Sequence, residues 1–249
     1  MYLIFTHEHD PCAERLVAEL RARLETVVHI PAMAWLAARG LLCSLSNSGE
    51  RSVRLTLADG QRIESSRVRG VINRLVITPT PRIEHCTPNE RDYILQESWA
   101  FGISLLSSFD CPVLNPASPE GLSGKVPNDL VFAYQARACG LTPVRSSFAS
   151  TDPSQHRPPV PSTSNDQVAR VQVIGNTWLP SDGHQDEDLP GPQCLAFAKR
   201  LGLPICGMTF VRGAASDWRL LGVDSHPDLR CFGPRVWDVL AETLSGTMR

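Results

Sequence analysis

Lysine is nearly absent from this chain. Of 24 basic residues in 249, only Lys125 and Lys199 are lysines. Basic charge is not in excess either: 26 acidic residues leave a net charge of −2, which excludes the electrostatic footprint of a nucleic-acid binder. No apolar run approaches the roughly 18–20 residues that a membrane span needs. The opening MYLIFTHEHD lacks the basic n-region of a secretory signal. Together these absences predict a cytoplasmic globular protein with no nucleic-acid and no membrane partner. Close cysteine pairs are missing as well. The eight cysteines are scattered with no C-x-x-C spacing, which excludes a zinc framework and predicts free thiols packed as small hydrophobes. There is no P-loop, no G-x-G-x-x-G and no G-x-S-x-G. Gly121-Leu122-Ser123-Gly124-Lys125 has the flavour of a P-loop without its glycine spacing or the hydroxyl residue after lysine.

What is present reads as α/β. Tyr2 to Thr6 is a short apolar run suited to a buried strand. Cys12, Leu16, Val17, Leu20 and Leu24 then recur at helical spacing, and Val27 to Ile30 is a second strand. This β-α-β opening belongs to parallel sheets. Leu41–Leu45 and Val53–Leu57 are short strand candidates, and Asp59-Gly60 turns the chain back toward Ile63. Gly70 to Asn73 is a buried strand ending at Arg74. A helix is expected over 89–107 after the Thr87-Pro88-Asn89-Glu90 start signal, and a strand from Pro112 to Leu114. A further helix is expected from Glu120 or Val126 to Cys139, and extended chain from Val144 to Phe148. Residues 150–166 hold four prolines and six serines or threonines, with Val160 the only large apolar side chain, and read as a linker. Beyond it come a hairpin through Gly175-Asn176, a helix over 190–201, paired strands over 205–211 and 218–223, and an amphipathic helix over 234–244.

Motif chemistry alone is thin. His7 and His9 in His7-Glu8-His9-Asp10 have the H-x-H form in which alternate residues converge on a metal. The fuller hydrolase pattern is missing, because Pro11-Cys12 follow Asp10. The acidic stretch from His184 to Asp188 reads as a solvated loop.

The order of short motifs from Gly70 to Pro153 resembles the N-terminal half of ATP-grasp proteins, in particular the RimK-like, peptide-modifying branch. The resemblance is carried by Val71-Ile72-Asn73-Arg74, Glu97-Ser98-Trp99, Pro112-Val113-Leu114-Asn115-Pro116, Lys125, Ala136 to Pro143, and Thr151-Asp152. It continues in Ala169 to Gly175, Phe197 to Leu203 and Leu220 to Pro227. It implies a Rossmann-like pre-ATP-grasp domain over 1–116 and a reduced ATP-grasp α+β domain over 117–249. The linker 150–166 stands where the family has its central nucleotide-clamping lobe.

The resemblance also implies site residues. Lys125 matches a phosphate-contacting lysine. The positions of the family's magnesium ligands fall on Thr209, Gly222 and Asp224, leaving one carboxylate of three. Asn73 and Arg74 end a strand where open sheets place ligands. Arg170, Arg212 and Arg219, with Arg145, are expected to line a cleft and hold a carboxylate or phosphate, and His226 lies beside Asp224. The reading that follows is a degenerate ATP-grasp-like binding component that recognises a peptide or partner enzyme. It needs no cofactor and is expected to form homo-oligomers over its uncovered strand edges. Its first alternative is an active carboxylate–amine ligase using ATP and Mg²⁺. The second is an enzyme of another class, such as a metal-dependent hydrolase, built on His7, His9 and His226.

Overall fold

The computed structural model describes residues 1–79, 83–124, 128–144, 168–181, 189–212 and 217–246. They form two compact units. One comprises Met1–Lys125, Asp228–Arg230 and Pro234–Arg249, and the other Val126–Pro227 and Cys231–Gly233. Lys125, Arg145, the 150–166 linker with Thr151-Asp152, and His184 to Asp188 lie outside the described residues, as does the extended segment after Val144.

The first unit is built on a parallel sheet of β1 (Tyr2–Thr6), β2 (Val27–Pro31), β6 (Gly70–Arg74) and β7 (Val113–Leu114), in the order β2-β1-β6-β7. All five residues of β1 and of β6 are buried, as both-face coverage requires of a parallel sheet. Leu3, Phe5, Val28, Ile30 and Val71 join a core with Trp35, Leu105, Leu106 and Phe109. The opposite face carries Gly70 and Ile72 and is covered by α1 (Ala13–Arg21) and α6 (Arg235–Ser245). The fit is close: a Cβ added at Gly70 would lie 2.8 Å from Leu244. The terminal helix, which a division at 116/117 assigns to the C-terminal domain, therefore belongs to the first unit. Its apolar stripe of Val236, Leu240 and Leu244 is fully buried there.

Between β2 and β6 the chain inserts a small antiparallel sheet of β3 (Gly40–Leu45), β4 (Arg51–Thr56) and β5 (Arg62–Glu64), in that order. The expected Asp59-Gly60 turn closes it: Gly60 adopts φ 91° and the Leu57 N–H donates to the Gln61 carbonyl at 2.9 Å. A one-turn helix, α2 (Ala32–Leu36), follows β2 directly and had no sequence signal, being too short to show a period. Glu8 accepts from the Met33 N–H at 2.6 Å at its start. The long helix α3 (Pro88–Leu106) starts on a complete capping box between Thr87 and Glu90.

The second unit has an antiparallel sheet ordered β11-β10-β8-β9, from β8 (Val168–Ile174), β9 (Thr177–Pro180), β10 (Ile205–Arg212) and β11 (Trp218–Asp224). Its core joins Ala169, Val171 and Val173 with Met208, Phe210 and Phe197 of α5 (Gly191–Leu201). Gly202 ends α5 in the left-handed region at φ 67°. The preceding helix, α4 (Asp129–Ala138), starts later than Glu120 or Val126 because Asn128 caps it, accepting from the Val131 N–H at 3.0 Å. Among the described residues no helix is long and apolar enough to cross a membrane.

Candidate functional site

In the first unit, β2 and β6 flank β1 on opposite sides, so the strand order reverses there. Open α/β sheets bind ligands outside the carboxyl ends of strands at such a point. Thr6 is level with Pro31 on one side and Arg74 on the other. Thr6 Oγ1 and His29 Nε2 are 2.9 Å apart, and burial followed by the nearby Arg21 charge holds the His29 pKa below its ordinary value.

Arg74 is committed to a carboxylate from the loop after β1. Its Nε donates to Asp10 Oδ2 at 2.5 Å and its Nη2 to Oδ1 at 3.0 Å, with side-chain exposures of 3% and 0%. Burial pushes the Asp10 carboxyl up, and the Arg74 hydrogen bond and charge overcome it, leaving the pKa lowered. Asp10 also accepts from the Cys12 N–H at 2.9 Å. The Cys12 thiol in turn accepts from the Leu229 N–H at 3.2 Å and lies 3.5 Å from the Asp228 carboxylate. Hydrogen bonding from Arg230 holds that carboxylate down at about 2. Asn73 is fully buried: its amide nitrogen donates to the Asn115 and Leu122 carbonyls, and its oxygen accepts from the Leu75 N–H at 3.2 Å. Asn73 and Arg74 thus pin the strand-end loops together. Asp10, the partner that makes this possible, was visible in the sequence only as part of a metal-like motif.

His7 and His9 sit in the same loop, where His7 Nδ1 accepts from the His9 N–H at 3.3 Å. Among the described residues no group of three or more His, Cys, Asp or Glu side chains is placed to hold a metal ion.

In the second unit, α5 covers one face of the sheet, and the strand alternation puts Arg170, Gln172, Gly207, Thr209 and Asp224 on the other. Arg170, Thr209 and Gly222 are in register across three strands. Arg219 shares this second face, opposite Val211, and bonds to Asp217 at 3.1 Å. Arg212 has the opposite parity and lies over the Trp218 ring at 5.4 Å, on the helix-covered side. Of the described arginines expected to line one cleft, Arg170 and Arg219 therefore share a face and Arg212 does not. Asp224 Oδ1 accepts from the His226 N–H at 2.7 Å, and His226 Nδ1 is 2.9 Å from Ser225 Oγ. Pro227 folds over Gly207, where a Cβ would come within 2.8 Å of its ring. Beneath it Gln172 is fully buried, with Oε1 lacking a hydrogen-bond partner among the described residues. Sequence reasoning missed Gln172; its signal was a polar residue sharing parity with Arg170.

The three positions matched to magnesium ligands share one face: Thr209 is level with Gly222, and Asp224 is the next residue on that side of β11. Their donor set is one hydroxyl and one carboxylate. Among the described residues a Cβ added at Gly222 meets nothing within 4 Å, so none of them supplies a third oxygen there. This set does not match the near-octahedral, carboxylate-rich coordination of Mg²⁺.

No protein-family model and no curated protein matches the chain. Solved structures do match, over nearly the whole length of both partners. The macrocyclase MdnB from Microcystis aeruginosa MRC superposes with a TM-score of 0.75 at 15% identity, covering 98% of each chain. A RiPP-associated ATP-grasp ligase from Chryseobacterium gregarium, in complex with ADP and a leader and core peptide, gives 0.72 at 10% identity, covering 100% of this chain and 97% of that one. A RimK domain ATP-grasp protein from Sphaerobacter thermophilus gives 0.56 at 13% identity, with 98% and 99% covered. The fold of this chain is that of the ATP-grasp ligases. The segment on which the expected deletion of a central lobe falls lies outside the described residues.

Proposed function

We propose that the chain acts on peptides as an ATP-dependent carboxylate–amine ligase. The observation that carries this is the agreement of fold along both full lengths with a macrocyclase and a peptide-bound ATP-grasp ligase. A ligase of this type would join a carboxylate to an amine and convert ATP to ADP and phosphate. Arg170 and Arg219, on the face of the second sheet away from α5, are the described cations suited to an anionic reactant, and Lys125 is the matched phosphate lysine. The neighbours support this reading better than the accessory one, because those described by activity are ligases or macrocyclases.

The second reading is a peptide-binding component without ligation, and Gly222 facing Thr209 favours it. One experiment separates them. Purified chain is incubated with ATP, Mg²⁺ and peptides rich in side-chain carboxylates and lysine, and ADP release and peptide mass are followed. ADP formed together with loss of water from the peptide supports the ligase. Peptide binding with neither product supports the second reading. The metal-dependent hydrolase alternative has no observation in its favour.

A further inference from the structure

β3 is an edge strand, and among the described residues its only strand partner is β4. Native edges are blunted by charge, proline, brevity or cover. The other edges of these sheets follow that rule: β7 has two residues, β5 three, β2 is largely buried, β9 ends in Pro180 and β11 carries Arg219 and Asp224. β3, Gly-Leu-Leu-Cys-Ser-Leu, has six residues with no charge and no proline, and Leu42 and Leu45 are 55% and 69% exposed.

The ground around this open edge is basic. Residues 39–69 hold six arginines and three acids, a net +3 in a chain whose total is −2. Arg39, Arg51, Arg54, Arg62, Arg67 and Arg69 are all exposed. On the outer face Leu42 is level with Arg54, which is level with Glu64. Glu64 is shared, 3.7 Å from Arg54 and 3.4 Å from Arg67, and so leaves positive charge over. The inner face offers an apolar row of Leu41, Cys43 and Leu45.

We infer that β3 receives an extended acidic peptide as an added strand, with acidic side chains on the outer face toward Arg54 and apolar ones on the inner face. Backbone pairing supplies affinity in this mode, and alternate side chains supply selectivity. An added strand lies roughly 9–10 Å from β4, within reach of an extended arginine meeting a glutamate. Charge also decides against a second copy as the occupant, because edge-to-edge pairing would set two net-positive sheets side by side. The inference rests on the peptide-directed reading above and adds where and what kind of peptide docks.

The test needs no ATP. A dye-labelled, end-blocked peptide of alternating glutamate and valine is titrated with the full chain by fluorescence anisotropy. Saturable binding is expected, weakening as salt rises, and a lysine–valine peptide does not compete. Arg54→Glu combined with Arg62→Glu, both at exposed positions, weakens binding on the order of tenfold or more with an unchanged thermal melt. Backbone amide resonances of Gly40–Leu45 shift on titration. Absence of binding, affinity indifferent to charge reversal, or shifts elsewhere overturns the inference. So does a dimer, seen by sedimentation, that Leu42→Lys dissolves. Ligation without binding at β3 sinks only this inference, and binding at β3 without ligation sinks only the ligase.

Discussion

At the scale of single residues, removing half of a buried ion pair is costlier than the pair's own net contribution, because the survivor stays desolvated and uncompensated. Asp10→Ala leaves Arg74 in that state, so unfolding in urea is expected to show a loss of about 3–5 kcal/mol. The same pair sets an acid dependence. The Asp10 pKa is lowered in the fold, so its contribution is whole above the ordinary carboxylate value of about 4 and is lost as pH falls through the folded value. The urea midpoint of the native chain should therefore decline below about pH 4, and Asp10→Asn should flatten that decline. Cysteines divide by burial: Cys12, Cys194 and Cys206 are buried and Cys43 is exposed. Burial pushes the Cys194 thiol up to about 12. Brief treatment with iodoacetamide at neutral pH should modify Cys43 and spare those three, as read by peptide mass mapping. The sequence made Asn73 and Arg74 legible as strand-end residues. It did not make legible that they are consumed internally, because Asp10 is 64 residues and Asn115 is 42 residues away along the chain.

At the scale of elements, strand alternation and helix caps carried most of the correct reading. Cys206, Met208 and Phe210 announce a buried face of β10, and their parity already places Arg212 with them. Thr87 and Gly202 mark helix ends by chemistry that works locally. What escaped was α2, a single turn, and the late start of α4, fixed by Asn128. Two glycines on the face away from α5 make a matched pair of predictions. Gly207→Ala meets Pro227 and is expected to cost about 1–3 kcal/mol, whereas Gly222→Ala, with no described residue within 4 Å of its Cβ, stays within about 0.5 kcal/mol, both read from thermal melts. The same position permits addition of function. Thr209→Asp with Gly222→Glu brings two new carboxylates to the side of β10–β11 that holds Asp224. That variant should gain a melting shift with Mn²⁺ that the native chain lacks. No gain would mean that these positions do not converge on one ion.

At the scale of the whole molecule, the first unit is discontinuous in sequence, assembled from the start of the chain, Asp228–Arg230 and the segment from Pro234 onward. A fragment of residues 1–125 lacks α6 and should show no cooperative melt, while a fragment of residues 126–233 should melt cooperatively by circular dichroism. The α/β class was legible from pattern. The membership of α6 was not, because its amphipathic stripe states that it packs without stating where. The packing of Leu244 on Gly70 has a temporal consequence. On a ribosome adding roughly 5–20 residues per second, β6 emerges on the order of ten seconds before the helix that covers it. Through that interval the Gly70–Ile72 face lacks its Leu244 cover, so the sheet of the first unit is finished only after the second unit has been synthesised.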